Sequence, residues 1–138
     1  MSSMNLRLRA GEKIYLNGAV VRFDRKVSIE ILNDVSFLLE GHVLQAKDAT
    51  TPLRQLYFVV QSALIDPANS SSISVLIRDM LKRTSESFSN REVLYGLVEV
   101  SELLDRGRFF ECLRIIRGLY ETEAEVLRAQ EQGDFRAA

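Results

Sequence analysis

Six of the chain's eighteen basic residues precede Ser28. They are Arg7, Arg9, Lys13, Arg22, Arg25 and Lys26, and Tyr15 lies among them. Cations interleaved with an aromatic ring can neutralise phosphates while the ring stacks on an unpaired base. The same pattern also serves as a solvated sheet face whose charges protect edge strands. Composition does not decide between the two, because the net charge is −1 and any polyanion site must be a local patch.

Other chemistry is sparse. The sequence contains neither a phosphate-binding G-x-x-x-x-G-K-[ST] nor a dinucleotide-binding G-x-G-x-x-G, and no G-x-S-x-G nucleophile. One cysteine, Cys112, rules out an intrachain disulfide framework and suits a small buried helix residue. One histidine, His42, follows Gly41 in a loop and has no second histidine for a transition-metal set. The expectation is a protein without catalysis, metal or cofactor. With no apolar run of about 18–20 residues and no signal-peptide core, it is expected in the cytoplasm.

The elements that must position the basic residues come next. Leu6 and Leu8 alternate with Arg7 and Arg9, the period of a half-buried strand. Ala10-Gly11 is expected to turn the chain, and Ile14 and Leu16 then alternate with Lys13 and Tyr15. Asn17-Gly18 predicts a two-residue hairpin, which needs positive φ at both positions. Val21 and Phe23 alternate with Arg22, Asp24-Arg25-Lys26 forms a polar turn, and Val27, Ile29 and Ile31 follow. A last run spans Val35 to Leu39. This predicts four to five antiparallel strands, with the apolar residues on one face and the basic residues on the other side of three strands.

After a polar joint at Ala46–Thr51, helical spacing takes over. Thr51 can cap a helix with Pro52 at its first position, and Asp66-Pro67 ends it. A second apolar stripe runs from Ile73 to Leu81. Asn90 can cap a third helix to about Asp105, and Gly107 separates it from a fourth, Arg108 to about Leu119. The class is therefore α+β: a β-rich basic module over residues 1–45, a bundle of about four helices over residues 46–130, and a flexible tail over residues 131–138. Tyr57, Phe58, Tyr95 and Phe110 fall partly off the apolar stripes. They could line a groove for a protein partner or simply widen the core face.

The stretch D-A-T-T-P-L-R-Q-L-Y-F-V-V-Q (Asp48–Gln61) and the following L-I-D-P (Leu64–Pro67) strongly resemble the FlbT family of flagellum biosynthesis repressors. L-R-A-G-E-K-I-Y-L-N-G-A-V (Leu8–Val20) and D-R-K-V-S-I-E-I-L-N-D-V (Asp24–Val35) match as well, and the resemblance covers nearly all of residues 5–125. It implies post-transcriptional control of flagellin, through association with the 5′ untranslated region of flagellin mRNA and decay of that message. Some members act positively, so the sign is not carried over. It also implies flagellin and the small regulator FlaF as partners. Within the β-module, R-x-G-E-x-I-x-L-x-G (Arg9–Gly18) is similar to the opening of the carbon storage regulator family, β-rich dimers that bind mRNA leaders. Leu6, Arg7, Leu8 and Arg9 match that family's first, RNA-contacting strand. Asn17 lengthens the hairpin by one residue, and the family's basic C-terminal strand is not evident.

Two functions follow. In one, the basic residues bind a flagellin mRNA leader and Tyr15 stacks on a loop base. In the other, the helical half binds flagellin or FlaF and effects on mRNA are indirect. Exposed strand edges also leave room for a homodimer formed by strand exchange.

Overall fold

The computed structural model describes residues 3–137. Its α+β order is five strands, β1 (Met4–Leu8), β2 (Lys13–Leu16), β3 (Ala19–Arg22), β4 (Val27–Ile31) and β5 (Phe37–Leu39), followed by five helices. The helices are α1 (Pro52–Ile65), α2 (Ser70–Ser87), α3 (Arg91–Asp105), α4 (Phe109–Gly118) and α5 (Tyr120–Ala137).

The strand pairing differs from a chain of short turns. β1 pairs with β4, Leu8 opposite Val27, and β2 pairs with β3, Lys13 opposite Arg22 and Leu16 opposite Ala19. Both ladders keep one register, so Met4–Ile31 is a single long hairpin. Its tip is Asn17-Gly18, with φ of 50° and 91° as the two-residue turn requires. Ala10-Gly11 and Asp24-Arg25-Lys26, expected as separate reversals, are instead a bend in each arm of that hairpin. Gly11, at φ 77°, sits in a tight turn closed by Glu12 N–H to the Arg9 carbonyl, yet its own N–H crosses to the Phe23 carbonyl at 2.8 Å. A turn signal fixes local dihedrals and leaves open whether the partner arm turns with it.

The bend brings the same face of both halves onto one cluster. Leu8, Ile14 and Phe37 are fully buried there, and Val21, Phe23, Val27, Ile29 and Ile31 pack around them. β5 adds to β2, Phe37 opposite Leu16 and Leu39 opposite Ile14. Alternation then makes β5 two-sided. Phe37 and Leu39 face the hairpin cluster, whereas Leu38, with no exposed surface, faces the helices.

The helices form where the caps predict. Thr51 Oγ1 accepts the Arg54 N–H, Asn90 Oδ1 accepts the Val93 N–H at 3.1 Å, and Gly107 takes φ 69° between α3 and α4. There are five helices rather than about four, because the chain breaks at Leu119 and continues as α5. Backbone helix persists through Ala137, where a tail was expected from Glu131; Glu, Gln, Arg and Ala are strong helix formers. Residue 138 lies outside the described residues. The main core joins Leu53, Leu56, Val60 and Leu64 of α1 to Ile77, Val93, Leu97, Val100, Leu113 and Ile116.

Candidate nucleic-acid interface

Because even positions of one arm and odd positions of the other point inward, the alternate positions point outward. Arg7 lies on the outside of the β1–β4 half, and Lys13 and Arg22 on the outside of the β2–β3 half. Arg9, Arg25 and Lys26 sit at the bend between them. All six are exposed. They do not share one flat side of three strands, as expected from alternation alone. They follow the outer surface of a bent ribbon, in a basic ridge broken by Glu12 and Asp24.

Those two carboxylates are occupied locally. Glu12 Oε1 accepts the Arg9 backbone N–H at 2.9 Å, and Asp24 pairs with Arg25 at 3.1 Å. Among the described residues, no carboxylate pairs within 4 Å with the side-chain cation of Arg7, Arg9, Lys13, Arg22 or Lys26. Lys13 and Arg22 are directly opposed across the ladder. Like charges in that relation destabilise a sheet, and a bound anion would relieve them.

Tyr15 is placed differently from the other six. It is half-buried, opposite Leu38, and packs on the helical core. Its ring holds the hairpin to the helices, so the exposed aromatic on the basic face is not there. The outward face of β2 near β5 is the one the helices cover.

The four residues expected to line a partner groove do not form one. Tyr57 is 1% exposed. Its hydroxyl donates to the His42 carbonyl at 2.6 Å and accepts from Arg117 Nη1 at 2.8 Å, so it is a structural clasp. Burial pushes its phenol pKa up, while the Arg117 hydrogen bond and charge oppose that. Phe110 is half-buried and stacks on Phe37, ring centroids 4.3 Å apart, joining the hairpin cluster to the helices. Phe58 is half-buried on α1. Only Tyr95 is open, at 70% exposure; Val98, one turn on, lines a groove between α2 and α3 with Arg78, Lys82, Ser85 and Leu97, which Tyr95 does not line.

Several residues matter that spacing did not single out. Gln61, buried on α1, accepts the Leu44 N–H at 2.9 Å and donates to the Leu44 carbonyl at 2.6 Å, acting as a strand partner for the connector. Glu123 is fully buried at the start of α1. Arg108 and Arg114 line a cleft between the hairpin and α4, with Asn17, Asp34 and Phe37. Arg108 pairs with Glu111, and Arg117 turns inward to Tyr57. Cys112 is buried, its thiol pushed up to about 12 mainly by burial. Among the described residues, no helix is long and apolar enough to cross a membrane.

Comparison with known proteins sets these features in a family. The family model described as "Flagellar protein FlbT" matches residues 4–127. A probable flagellum biosynthesis repressor protein FlbT from Chelativorans sp. (strain BNC1) is 49% identical, over 99% of this chain and 97% of that protein. Proteins of the same name from Brucella ovis and Brucella abortus (strain S19) are 52% identical, over 94% of this chain and 85% of theirs. No solved structure matches the chain significantly. With half its residues identical to those relatives over nearly its whole length, the chain belongs to the FlbT family of flagellar proteins.

Proposed function

We propose that this FlbT-family chain is a non-catalytic cytoplasmic regulator of flagellum biogenesis that binds the 5′ untranslated region of flagellin mRNA and promotes decay of the message. The observation that carries this is the basic ridge, above all the Lys13–Arg22 pair with no carboxylate partner among the described residues. Arg7, Arg9, Lys13 and Arg22 supply phosphate contacts, and Arg25 and Lys26 extend them around the bend. With Tyr15 committed to the interior, affinity rests on charge, and base selection falls to RNA shape and to polar groups near the hairpin tip. Decay of the message follows from blocked translation or a recruited nuclease.

The test is a gel-shift with purified protein and a flagellin leader across salt concentrations. Four phosphate contacts on single-stranded RNA should give a slope of log affinity on log salt near about −3. Lys13→Ala/Arg22→Ala should lower affinity and flatten that slope by about half. An unchanged affinity and slope would remove this ridge as the RNA site.

Exposed Tyr95 and Val98 on α3 favour a second reading, in which the outer face of α3 takes a flagellar protein such as flagellin or FlaF. Co-purification that survives nuclease treatment and is lost in Tyr95→Ala, with no leader binding by the pure protein, would support it over the first.

A further inference from the structure

The arm Ala19–Ile31 is unpaired along its outer edge. β3 and β4 each have one strand neighbour, on the inner side, and among the described residues the β4 backbone bonds to nothing beyond β1. A two-stranded ladder is marginal in water, and an open edge is a template for another strand. The apolar cluster beneath is also thinly covered. Only three of its residues are fully buried, and Val27, Ile29 and Ile31 along β4 are half-buried.

The residues on this edge are self-complementary. Around Ser28 the sequence reads Lys26, Val27, Ser28, Ile29, Glu30. Pairing the strand antiparallel with a copy of itself about a two-fold axis at Ser28 sets Lys26 opposite Glu30 of the copy, twice. It sets Val27 opposite Ile29 on the apolar face, twice, and Ser28 opposite Ser28. Lys26, Ser28 and Glu30 all lie on the exposed face, so each ion pair would form at the surface side of the joined sheet. A register one residue further on places Lys26 against Leu32 and loses both ion pairs. Opposite charges directly across a ladder stabilise it, and a two-fold contact must be complementary to itself.

We propose that a second copy of this chain adds its β4 to this β4, giving a continuous sheet in the order β1, β4, β4, β1 with the axis at Ser28. The joined sheet extends the apolar row across the axis and assigns Lys26 to Glu30 of the second copy. In the dimer Lys26 is withdrawn from the phosphate contacts, while Arg7, Arg9, Lys13 and Arg22 remain outside, doubled into one two-fold array.

Sedimentation velocity of the full chain, free of nucleic acid, tests this apart from the RNA reading. The native chain should be dimeric at tens of micromolar, and Lys26→Glu or Glu30→Lys alone should raise the dissociation constant at least about tenfold. The double charge swap Lys26→Glu/Glu30→Lys should restore it, and the native helical circular dichroism of each variant shows that the fold is kept. Ser28→Cys should oxidise to a covalent dimer, since the native Cys112 is buried. A native chain monomeric up to about 200 µM overturns the proposal. So does a dimer indifferent to either single swap, or one that the double swap fails to restore.

Discussion

The carboxylate of Glu123 on α5 receives the Leu53 backbone N–H in the first turn of α1 at 2.7 Å, and the Thr51 hydroxyl at 2.6 Å. It is fully buried, and Arg54 Nη1 stands 3.9 Å away while its guanidinium lies over Tyr120. An anion at a helix N-terminus gains from the dipole and from the open N–H groups there. One residue thus caps α1 and docks α5.

Removing that carboxylate leaves a buried N–H and a hydroxyl without a partner. Glu123→Ala should cost about 2–4 kcal/mol in denaturant unfolding. Glu123→Gln, which keeps an acceptor for the Leu53 N–H, should cost about half as much. Equal, small losses in both would show that the buried carboxylate adds little to the docking of α5.

Gly96 on α3 faces Leu119 at the α4–α5 break. A Cβ built there would lie 2.6 Å from one Leu119 methyl carbon and 3.3 Å from its Cγ, so the Leu119 side chain must shift as a whole, its Cγ included, and not only swing one methyl away. Gly96→Ala should therefore destabilise by about 1–2 kcal/mol despite alanine's better helix propensity. Adding Leu119→Ala to it should cost less than Leu119→Ala costs in the native background, a negative coupling that a double-mutant cycle reads.

The connector between the halves hangs on two side chains, Tyr57 to the His42 carbonyl and Gln61 to both backbone groups of Leu44. Tyr57→Phe should cost about 1–2 kcal/mol and Gln61→Ala about 2–3 kcal/mol. Each should speed amide exchange at residues 43–45 more than in the middle of α3. Uniform acceleration across the chain would mean that the connector is not a separately held element.

His42 supplies a pH signature. Its imidazole pKa is lowered from the ordinary value, first by desolvation and then by the Arg117 charge. The unfolded chain therefore binds the proton more readily than the native one, and stability rises with pH through this window. The contribution is present above about 6.5 and is lost as pH falls through the lower native value. The unfolding midpoint of His42→Gln should fall less steeply than that of the native chain between about pH 7 and pH 5. Parallel profiles would place the pH sensitivity elsewhere.

Local chemistry was readable in the chain wherever one or two residues decide a conformation. Asn17-Gly18, Thr51-Pro52, Asn90 and Gly107 each did so. Alternation likewise sorted the inward from the outward residues of the hairpin. What could not be read depends on distant partners. Ala10-Gly11 carries the same turn signal whether the chain reverses alone or bends together with an opposing arm. Tyr15 sits at an outward position, yet its half of the sheet is roofed by helices far along the sequence. Glu123 is a charged residue that spacing alone does not bury, and the Tyr57 hydroxyl is a polar group on a core face; only their partners, 70 and 15 residues away, make burial tolerable. The exposure of the six basic residues was readable because exposure needs no partner.

The two-sidedness of β5 has a consequence for how the molecule is made. The hairpin leaves the ribosome first, but Leu38 and Tyr15 need the helices, and Phe37 needs Phe110. Until roughly four-fifths of the chain has emerged, the amino-terminal ribbon carries an uncovered apolar seam beside its open edges. A stop or frameshift upstream of α4 would release a fragment suited to aggregation or rapid proteolysis.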